Sequence, residues 1–260
     1  SVTLSLRRQP ETQRFSAWHC ADMASGFRAQ REIVQQDWRP PVMRQYDASE
    51  VARLFPDYVQ GEQCLILLVH EGPAPRVDAE LRAVESIMVE LGLDPADAAA
   101  AEGWMSHRNN VPEWRDLLEQ GLIADTIEVS GTWSQIGAIY EDVVAALKTV
   151  PDCVNASAHS SHVYRSGINL YFTFACMPED ASAMGARYLE SWDRALNSTA
   201  SAGGGIAHHH GAGRLRRDYL RHDLGENGLA LLRKLKQAID PQGLLNPGNV
   251  LPPEAPDEST

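Results

Sequence analysis

The order of strand-like and helix-like segments is the feature that most limits how this chain can fold. Its apolar patterns predict strands at 63–72, 124–130, 153–159 and 167–176, and helices at 78–91, 133–148 and 181–198. The last two strands are close enough in sequence to pair antiparallel. We therefore predict an α+β fold of ferredoxin-like type, with an antiparallel sheet and helices on one face.

Flanking patterns add further elements. They predict an opening strand at 2–6, a helix at 18–36, a short strand at 42–46, helical pieces over 95–118 and a final helix at 225–239. Asp47-Ala48-Ser49-Glu50 is typical of the amino cap of a helix, which we expect to end at Leu54. An opening strand needs a neighbour, so it indicates the carboxyl part of a longer protein; a trimmed amino terminus is the alternative.

Charge and cysteine usage exclude several classes of protein. The formal net charge of −12 argues against a nucleic-acid surface, although residues 206–236 carry seven Lys or Arg against three acids. No apolar run approaches the ~20 residues of a membrane span, and the first residues alternate like a strand rather than like a signal peptide, so we expect none. The four cysteines form no CxxC pair, so we expect reduced thiols. We predict a cytoplasmic protein, with peripheral membrane contact as an alternative.

Three adjacent histidines stand beside a Gly-x-Gly in the segment Gly205-Ile206-Ala207-His208-His209-His210-Gly211-Ala212-Gly213-Arg214. Imidazole titrates near neutral pH, and glycine lets the backbone approach a ligand closely. Three interpretations are open: a metal site, surface histidines without a role, and catalytic or cofactor-facing histidines. Adjacent side chains diverge in regular structure, so three consecutive residues do not all reach one ion. We therefore predict no metal site and favour the third interpretation.

A second motif, Ile239-Asp240-Pro241-Gln242-Gly243-Leu244-Leu245-Asn246-Pro247-Gly248-Asn249-Val250-Leu251, ends the last helix in two turns. The order of both motifs resembles the carboxyl end of FAD-linked oxidases in the vanillyl-alcohol oxidase flavoprotein superfamily. Within it, the triple histidine is most similar to alkylglycerone-phosphate synthase (alkyldihydroxyacetonephosphate synthase). The 2-hydroxy-acid dehydrogenases usually carry Glu-His-Gly-x-Gly where this chain has His209-His210-Gly211-Ala212-Gly213.

The resemblance extends over nearly the whole chain. It includes an Arg-x-x-Asp segment at Arg44, an Arg-Asp-Leu segment at Arg115, Glu128-Val129-Ser130, and a Tyr-Phe-x-Phe strand at Tyr171. It implies that residues 1–10 end an FAD-binding domain, that 11–202 form a cap over the flavin, and that 203–260 are a carboxyl helical segment packing on the FAD domain. Gly203-Gly204-Gly205 would be a flexible connector at that boundary. Most of the FAD site is expected outside this chain, which alone is expected to be inactive.

The resemblance also assigns roles to residues. Tyr171, His209 and His210 are expected to be catalytic; Arg115 and His208 to bind substrate; and His210, Gly211, Gly213, Asn246 and Arg44 to contact FAD. Each role has a plainer alternative. Tyr171 would be a core aromatic, Arg115 an ion-pair partner of Glu119, and Arg44 an ion-pair partner of Asp47. Glu128 is a candidate partner for these charges, with a solvent-facing acid as the favoured alternative.

The implied enzyme is an FAD-dependent transferase or oxidoreductase. The synthase resemblance implies the exchange of an acyl for an alkyl group on glycerone phosphate through a flavin adduct, on a phosphorylated or carboxylate substrate with a lipid chain. A homodimer is compatible with it. Two alternatives remain open: an FAD-linked dehydrogenase or oxidase of a 2-hydroxy acid or alcohol, and a non-catalytic α+β module that binds an acidic or lipid ligand.

Overall fold

Seven strands and eight α-helices form within residues 2–6, 8–110 and 112–252, which the computed structural model describes. They are, in chain order, β1 (Thr12–Cys20), α1 (Met23–Gln35), β2 (Val42–Tyr46), α2 (Ala48–Leu54), β3 (Cys64–Gly72), α3 (Ala74–Glu90), β4 (Asp94–Ala96), α4 (Ala99–His107), α5 (Trp114–Glu119), β5 (Ile123–Thr132), α6 (Ile136–Lys148), β6 (Cys153–Val163), β7 (Gly167–Cys176), α7 (Met184–Ser201) and α8 (Leu220–Ile239). The strands make one antiparallel sheet in the order β4-β1-β3-β2-β6-β7-β5. The predicted α+β fold is confirmed.

The largest differences from the prediction lie near the amino end. The sequence places a helix over 18–36, where β1 is followed by the shorter helix α1. Strand β1 was not predicted because the apolar pattern of its partly exposed first half is weak. The strand is defined instead by its pairing with β3, from Thr12↔Gly72 to Cys20↔Cys64. Residues 2–6 are exposed and pair with no strand in the described part of the chain, so their assignment to a strand of an FAD-binding domain stays a prediction.

The chain divides into two compact units. Residues 1–113 and 157–168 form the first unit, and residues 114–156 and 169–260 form the second. In the first unit, β3 is buried from Cys64 to His70. Leu65 and Leu67 of β3 pack with α2 and α4, and α1 and α3 also contact this strand. A strand covered on both faces needs a continuous apolar run, which is what 64–69 supplies.

The predicted amino cap of α2 is confirmed. One oxygen of the Asp47 carboxylate accepts a hydrogen bond from the Glu50 amide at 2.8 Å, and the other accepts one from the Ala158 amide at 2.7 Å. The cap therefore also joins α2 to β6 within the first unit, and both Asp47 oxygens are engaged by backbone donors.

In the second unit, α6 and α7 pack against each other and against β5. Strand β7 alternates as predicted: Leu170, Phe172 and Phe174 are fully buried, and Tyr171 is partly exposed. Because successive side chains of a strand point to opposite faces, Tyr171 shares its face with Asn169 rather than with the phenylalanines. It is therefore not the core aromatic of the plainer alternative.

The glycine segment 203–205 is not a free connector. Gly205 and Ser130 exchange backbone hydrogen bonds of 2.8 and 3.0 Å, which forms an isolated β-bridge to β5. Gly204 is buried against the same strand. The predicted flexibility is wrong, because close backbone approach rather than freedom is what requires glycine here. The assignment of 203–260 to a return segment stays a prediction.

Two expectations concern the chain as a whole. All four cysteines are free thiols, as predicted. Among the described residues, no helix combines the length and the apolar character needed to cross a membrane.

Replacing Gly204 by alanine is expected to destabilise the second unit. A Cβ there would lie 2.7 Å from Ile139 Cδ1, 2.8 Å from Thr199 Cγ2 and 3.0 Å from the backbone oxygen of Ser130. Overpacking of this kind costs about 1–3 kcal/mol in unfolding free energy, measurable by urea denaturation. The matched control is Gly137→Ala in α6, where a Cβ meets open space and helix propensity predicts a gain of up to about 1 kcal/mol. Equal effects of the two substitutions would contradict the close packing.

Candidate active site

A fully buried carboxylate, that of Glu128, lies at the centre of a polar cluster in the second unit. It belongs to β5, and the neighbouring strand β7 supplies Asn169, whose Nδ2 donates to Glu128 Oε1 at 3.0 Å. Removing a carboxylate from water is costly unless several donors replace the solvent. The solvent-facing position favoured for Glu128 is therefore wrong, and its remaining donors define the site.

Three consecutive backbone amides supply those donors. The N–H groups of His208, His209 and His210 all point at Glu128 Oε2, with N–O distances of 3.2, 3.1 and 3.3 Å. Successive amides that converge in this way form a concave anion site. Burial alone would raise the pKa of Glu128, but the hydrogen bonds from Asn169 and from the amides of His209 and His208 lower it to about 2. Glu128 is thus ionised at neutral pH.

The Tyr171 hydroxyl is joined to this carboxylate through an imidazole. It lies 2.9 Å from His209 Nε2 and 3.5 Å from His210 Nε2. On the other side of the ring, His209 Nδ1 lies 2.5 Å from Glu128 Oε1. An ionised Glu128 can accept the proton on Nδ1, and in that tautomer Nε2 accepts the hydroxyl proton of Tyr171. The result is a hydroxyl–imidazole–carboxylate series.

The other two histidines complete the cluster. His208 Nδ1 lies 2.8 Å from His209 Nδ1 and 3.1 Å from Glu128 Oε1, so at least one proton lies among these three atoms. Burial lowers the pKa of His210, and the negative charge of Glu128 opposes this only in part. His210 is therefore uncharged at neutral pH and offers a neutral imidazole beside Tyr171.

Arg216 holds in place the loop that carries His208–His210, called the histidine loop below. Its guanidinium donates to the backbone oxygen of Glu128 at 2.9 Å and to that of Gly211 at 3.2 Å. It lies 4.8 Å from the ring centroid of Trp192 in α7. A buried guanidinium with carbonyl acceptors and an aromatic face is a rigid clamp, so the loop is tied to both β5 and α7.

The second sequence motif is hydrogen-bonded to the first motif and to Arg217 just after it. The Val250 amide donates to the Gly213 oxygen at 3.0 Å, and Arg217 donates to the Gly248 oxygen at 2.7 Å. Gly213, in the first motif, has a φ of +55°, and Asn246, in the second motif, has a φ of +46°. Asparagine tolerates this left-handed conformation better than most residues. Hydrogen bonds therefore join the two motifs that carry the family resemblance.

Two predicted site residues lie outside this cluster. Arg115 is exposed on α5, and no ion pair with Glu119 forms among the described residues, so that alternative is wrong. Arg44 belongs to the first unit, where its Nε donates to the Tyr46 hydroxyl at 2.8 Å. Its proposed ion pair with Asp47 is also wrong, because that carboxylate accepts backbone hydrogen bonds instead.

Asn169 and Arg216 were not predicted as site residues, and Glu128 was only a candidate partner with a solvent-facing position favoured. A sequence signal existed for Glu128 and Asn169. Glu128 interrupts the apolar run Ile127–Val129, and Asn169 stands two residues before Tyr171, on the same strand face. For Arg216, one of several arginines in a basic segment, we find no local signal.

Comparison with known proteins identifies the family of this chain. Residues 9–250 match the family described as FAD linked oxidases, C-terminal domain. The uncharacterized FAD-linked oxidoreductase YgcU of Escherichia coli O157:H7 is 31% identical over 265 residues, covering 94% of this chain and 53% of YgcU. Alkyldihydroxyacetonephosphate synthase of Trypanosoma brucei brucei is 23% identical over 293 residues, covering 100% of this chain and 47% of the synthase. The chain spans about half the length of these relatives.

Solved structures extend the likeness to the fold. A structure of alkyldihydroxyacetonephosphate synthase has a TM-score of 0.71 at 22% identity, covering 92% of this chain and 45% of its own. The 4-ethylphenol oxidase of Gulosibacter chungangensis has a TM-score of 0.69 at 11% identity, covering 94% of this chain and 54% of its own. At these identities the likeness concerns the fold alone. The match over residues 9–250 shows that this chain belongs to the family of FAD-linked oxidases, as their C-terminal domain.

Proposed function

We propose that this chain is the substrate-side part of an FAD-dependent enzyme in which Tyr171 moves a proton at the substrate. The observation that carries the proposal is the series Tyr171 hydroxyl, His209 imidazole, Glu128 carboxylate. A hydroxyl bonded to a neutral imidazole can hand its proton to that ring, and an ionised carboxylate stabilises the imidazolium that forms. The same series returns the proton in the reverse direction.

The backbone beside the histidines fits a flat cofactor. Gly211 and Gly213 are exposed, have positive φ angles, and a Cβ at either would meet no atom within 4 Å in the described structure. This leaves bare backbone open to a ring system next to His210. We propose that His210, Gly211, Gly213 and Asn246 contact FAD, which when bound supplies the redox-active ring beside the reacting substrate carbon. Most of the nucleotide site would lie in another domain of the full-length protein.

The final helix supports that division. Leu224, Leu231, Leu235 and Ile239 of α8 are exposed, as are Leu244 and Leu245 after it. A basic segment that also exposes this many large apolar side chains is suited to packing on another surface. We propose that residues 203–260 pack on the FAD-binding domain, as the family resemblance implies.

For the reaction, we propose the alkyl-for-acyl exchange on glycerone phosphate that the synthase relatives suggest. Tyr171 would remove and return a proton at the substrate carbon, with His209 as its partner. Arg115, whose guanidinium has no ion-pair partner in the described residues, and His208 would bind the phosphate. The triple histidine and Tyr171, taken together, support this reaction.

A second candidate is the oxidation of a 2-hydroxy acid or alcohol. It is favoured by the relative described as an FAD-linked oxidoreductase, which is more similar in sequence than the synthase, at 31% against 23% identity. Here Tyr171 would take the proton of the substrate hydroxyl.

The two reactions differ in net redox change. We would purify the full-length FAD-loaded protein and add an acyl-glycerone phosphate with a radiolabelled fatty alcohol under anaerobic conditions. Alkyl exchange predicts label in the ether product and a flavin spectrum that is unchanged at the end. Oxidation predicts that a 2-hydroxy acid bleaches the flavin and reduces a dye. A full-length protein that binds no flavin would overturn both.

Tyr171→Phe is expected to lower turnover by about 10²–10⁴-fold, because only the proton-transferring hydroxyl is removed. Thermal stability and bound FAD should stay at wild-type levels, since the hydroxyl is partly exposed and the aromatic ring is kept. Tyr164→Phe, at an exposed tyrosine between β6 and β7, is the control and should keep full turnover. Wild-type turnover in Tyr171→Phe would contradict the assigned role.

Glu128→Gln is expected to destabilise the fold in a pH-dependent way. The folded-state pKa of about 2 lies below the ordinary 4.5, so the ionised carboxylate stabilises the fold above about pH 4.5. This contribution is lost as the pH falls toward 2, and its size is about 3 kcal/mol. Urea unfolding of wild type and variant should therefore differ most near pH 7 and converge in acid. The exposed control Glu141→Gln should show no such convergence, and a difference independent of pH in Glu128→Gln would refute the mechanism.

A further inference from the structure

Two cysteines of the second unit face each other across neighbouring strands. Cys153 begins β6 and Cys176 ends β7, and these strands are neighbours in the antiparallel sheet. The Met177 amide donates to the Asp152 backbone oxygen at 2.9 Å, immediately outside the two cysteines. In an antiparallel pair this register places Cys153 directly opposite Cys176.

The spacing of such a pair suits a disulfide. The Cα atoms of opposite residues in antiparallel strands are about 4.5–5.5 Å apart, and disulfides bridge Cα atoms that are about 4.4–6.8 Å apart. Opposite side chains also point to the same face of the sheet. The side chains of Cys153 and Cys176 are hydrogen-bonded to each other. The two sulfur atoms can therefore be joined without rearranging the strands.

Cys153 is accessible to an oxidant and has a cation nearby. Its side chain is partly exposed, whereas that of Cys176 is fully buried. Burial raises the pKa of Cys153, but hydrogen bonds with Asn155 and Cys176 and the positive charge of Lys148 oppose this. Oxidants attack partly exposed cysteines beside positive charge, and a second thiol in contact with the first resolves the product. The two cysteines thus differ as an attacking and a resolving thiol must.

The cysteine pair of the first unit has the same register but a different environment. Cys20 of β1 is directly opposite Cys64 of β3, and both side chains are buried. The hydrogen bond with Cys64, burial and the negative charge of Asp22 all raise the pKa of Cys20. Neither sulfur is accessible to an oxidant. This pair is therefore an internal comparison, since it shares the register of the other pair but not its access or its nearby cation.

We propose that Cys153 and Cys176 are an oxidation-sensitive dithiol that closes to a disulfide when the protein meets hydrogen peroxide. The Cys153 sulfur attacks a peroxide oxygen: an S–O bond forms, the O–O bond breaks, and the leaving hydroxide takes up the thiol proton as water. The Cys176 sulfur then attacks the Cys153 sulfur: the S–S bond forms, the S–O bond breaks, and a second water leaves with the Cys176 proton.

The electrons and atoms of this modification balance. Two thiols lose two electrons and two protons, and one hydrogen peroxide is reduced to two waters. A dithiol reductant reverses the change by thiol–disulfide exchange. The disulfide would tie the beginning of β6 covalently to the end of β7.

The test is mass spectrometry of the purified full-length protein, which is reduced, freed of reductant, treated with hydrogen peroxide and then alkylated. Trypsin cleaves after Arg165, so a disulfide joins peptide 149–165 to peptide 166–187. We expect this linked species in the monomer band of a non-reducing gel. Its yield should be at least about tenfold higher than that of a link between Cys20 and Cys64. Dithiothreitol should remove it.

Variants assign the order of attack. In Cys176→Ser the link should be lost, and Cys153 should accumulate as a sulfenic acid that dimedone traps. Cys64→Ala, in the comparison pair, is the matched control and should keep the wild-type yield of the link between Cys153 and Cys176. Should Cys176→Ser fail to fold by circular dichroism, dimedone added to the wild type together with peroxide decides, and it should label Cys153.

Four outcomes would overturn the proposal. They are no link between Cys153 and Cys176 in the wild type, an equal yield of the link between Cys20 and Cys64, recovery of the linked peptides from a dimer band alone, and dimedone labelling at Cys176 in place of Cys153.

Discussion

The buried charge of Glu128 is the constraint on which the candidate site depends. A carboxylate without solvent must find donors inside the protein, and three of them are the consecutive amides of His208–His210. The path of the histidine loop is thus fixed at Glu128 by its backbone amides as well as by the His208 and His209 rings. This path places the His209 ring within hydrogen-bond distance of both Glu128 and Tyr171. The chemistry proposed at Tyr171 therefore rests on an electrostatic requirement of the neighbouring strand.

Hydrogen bonding to the Glu128 carboxylate constrains the backbone both before and after the histidine loop. Before it, the backbone must approach β5 closely, and Gly204 and Gly205 leave room for Ser130. After it, Gly211 and Gly213 take left-handed conformations that other residues rarely adopt. Arg216 then closes the arrangement by bonding the Glu128 and Gly211 carbonyls. The glycines on either side of the histidines therefore serve different ends, one close packing and the other backbone conformation.

A structural feature could be predicted from the sequence when residues close to it in the chain determine it. The strand at 64–72, the helix at 74–90 and the alternation around Tyr171 are encoded in nearby residues and were predicted. Strand β1 is defined by its pairing with β3, so its own residues carry a weak signal. Glu128 is similar: an acid between Ile127 and Val129 is usually solvent-facing, and its burial depends on donors that are distant in sequence, the histidine loop and Asn169. The motif predicted which histidines matter, but not the charge that orders them.

Two arginines show why residue type alone does not assign a role. Arg216 and Arg44 both lie over an aromatic ring, at 4.8 Å from Trp192 and 5.1 Å from Trp104. The terminal nitrogens of Arg216 bond carbonyl oxygens of its own unit, so its donors are spent on holding a loop. In Arg44, Nε alone bonds within the described protein, and the rings supply rigidity without consuming the fork. A cation fixed by aromatic faces keeps the hydrogen-bonding capacity of its terminal nitrogens, whereas one that bonds carbonyl oxygens has used it.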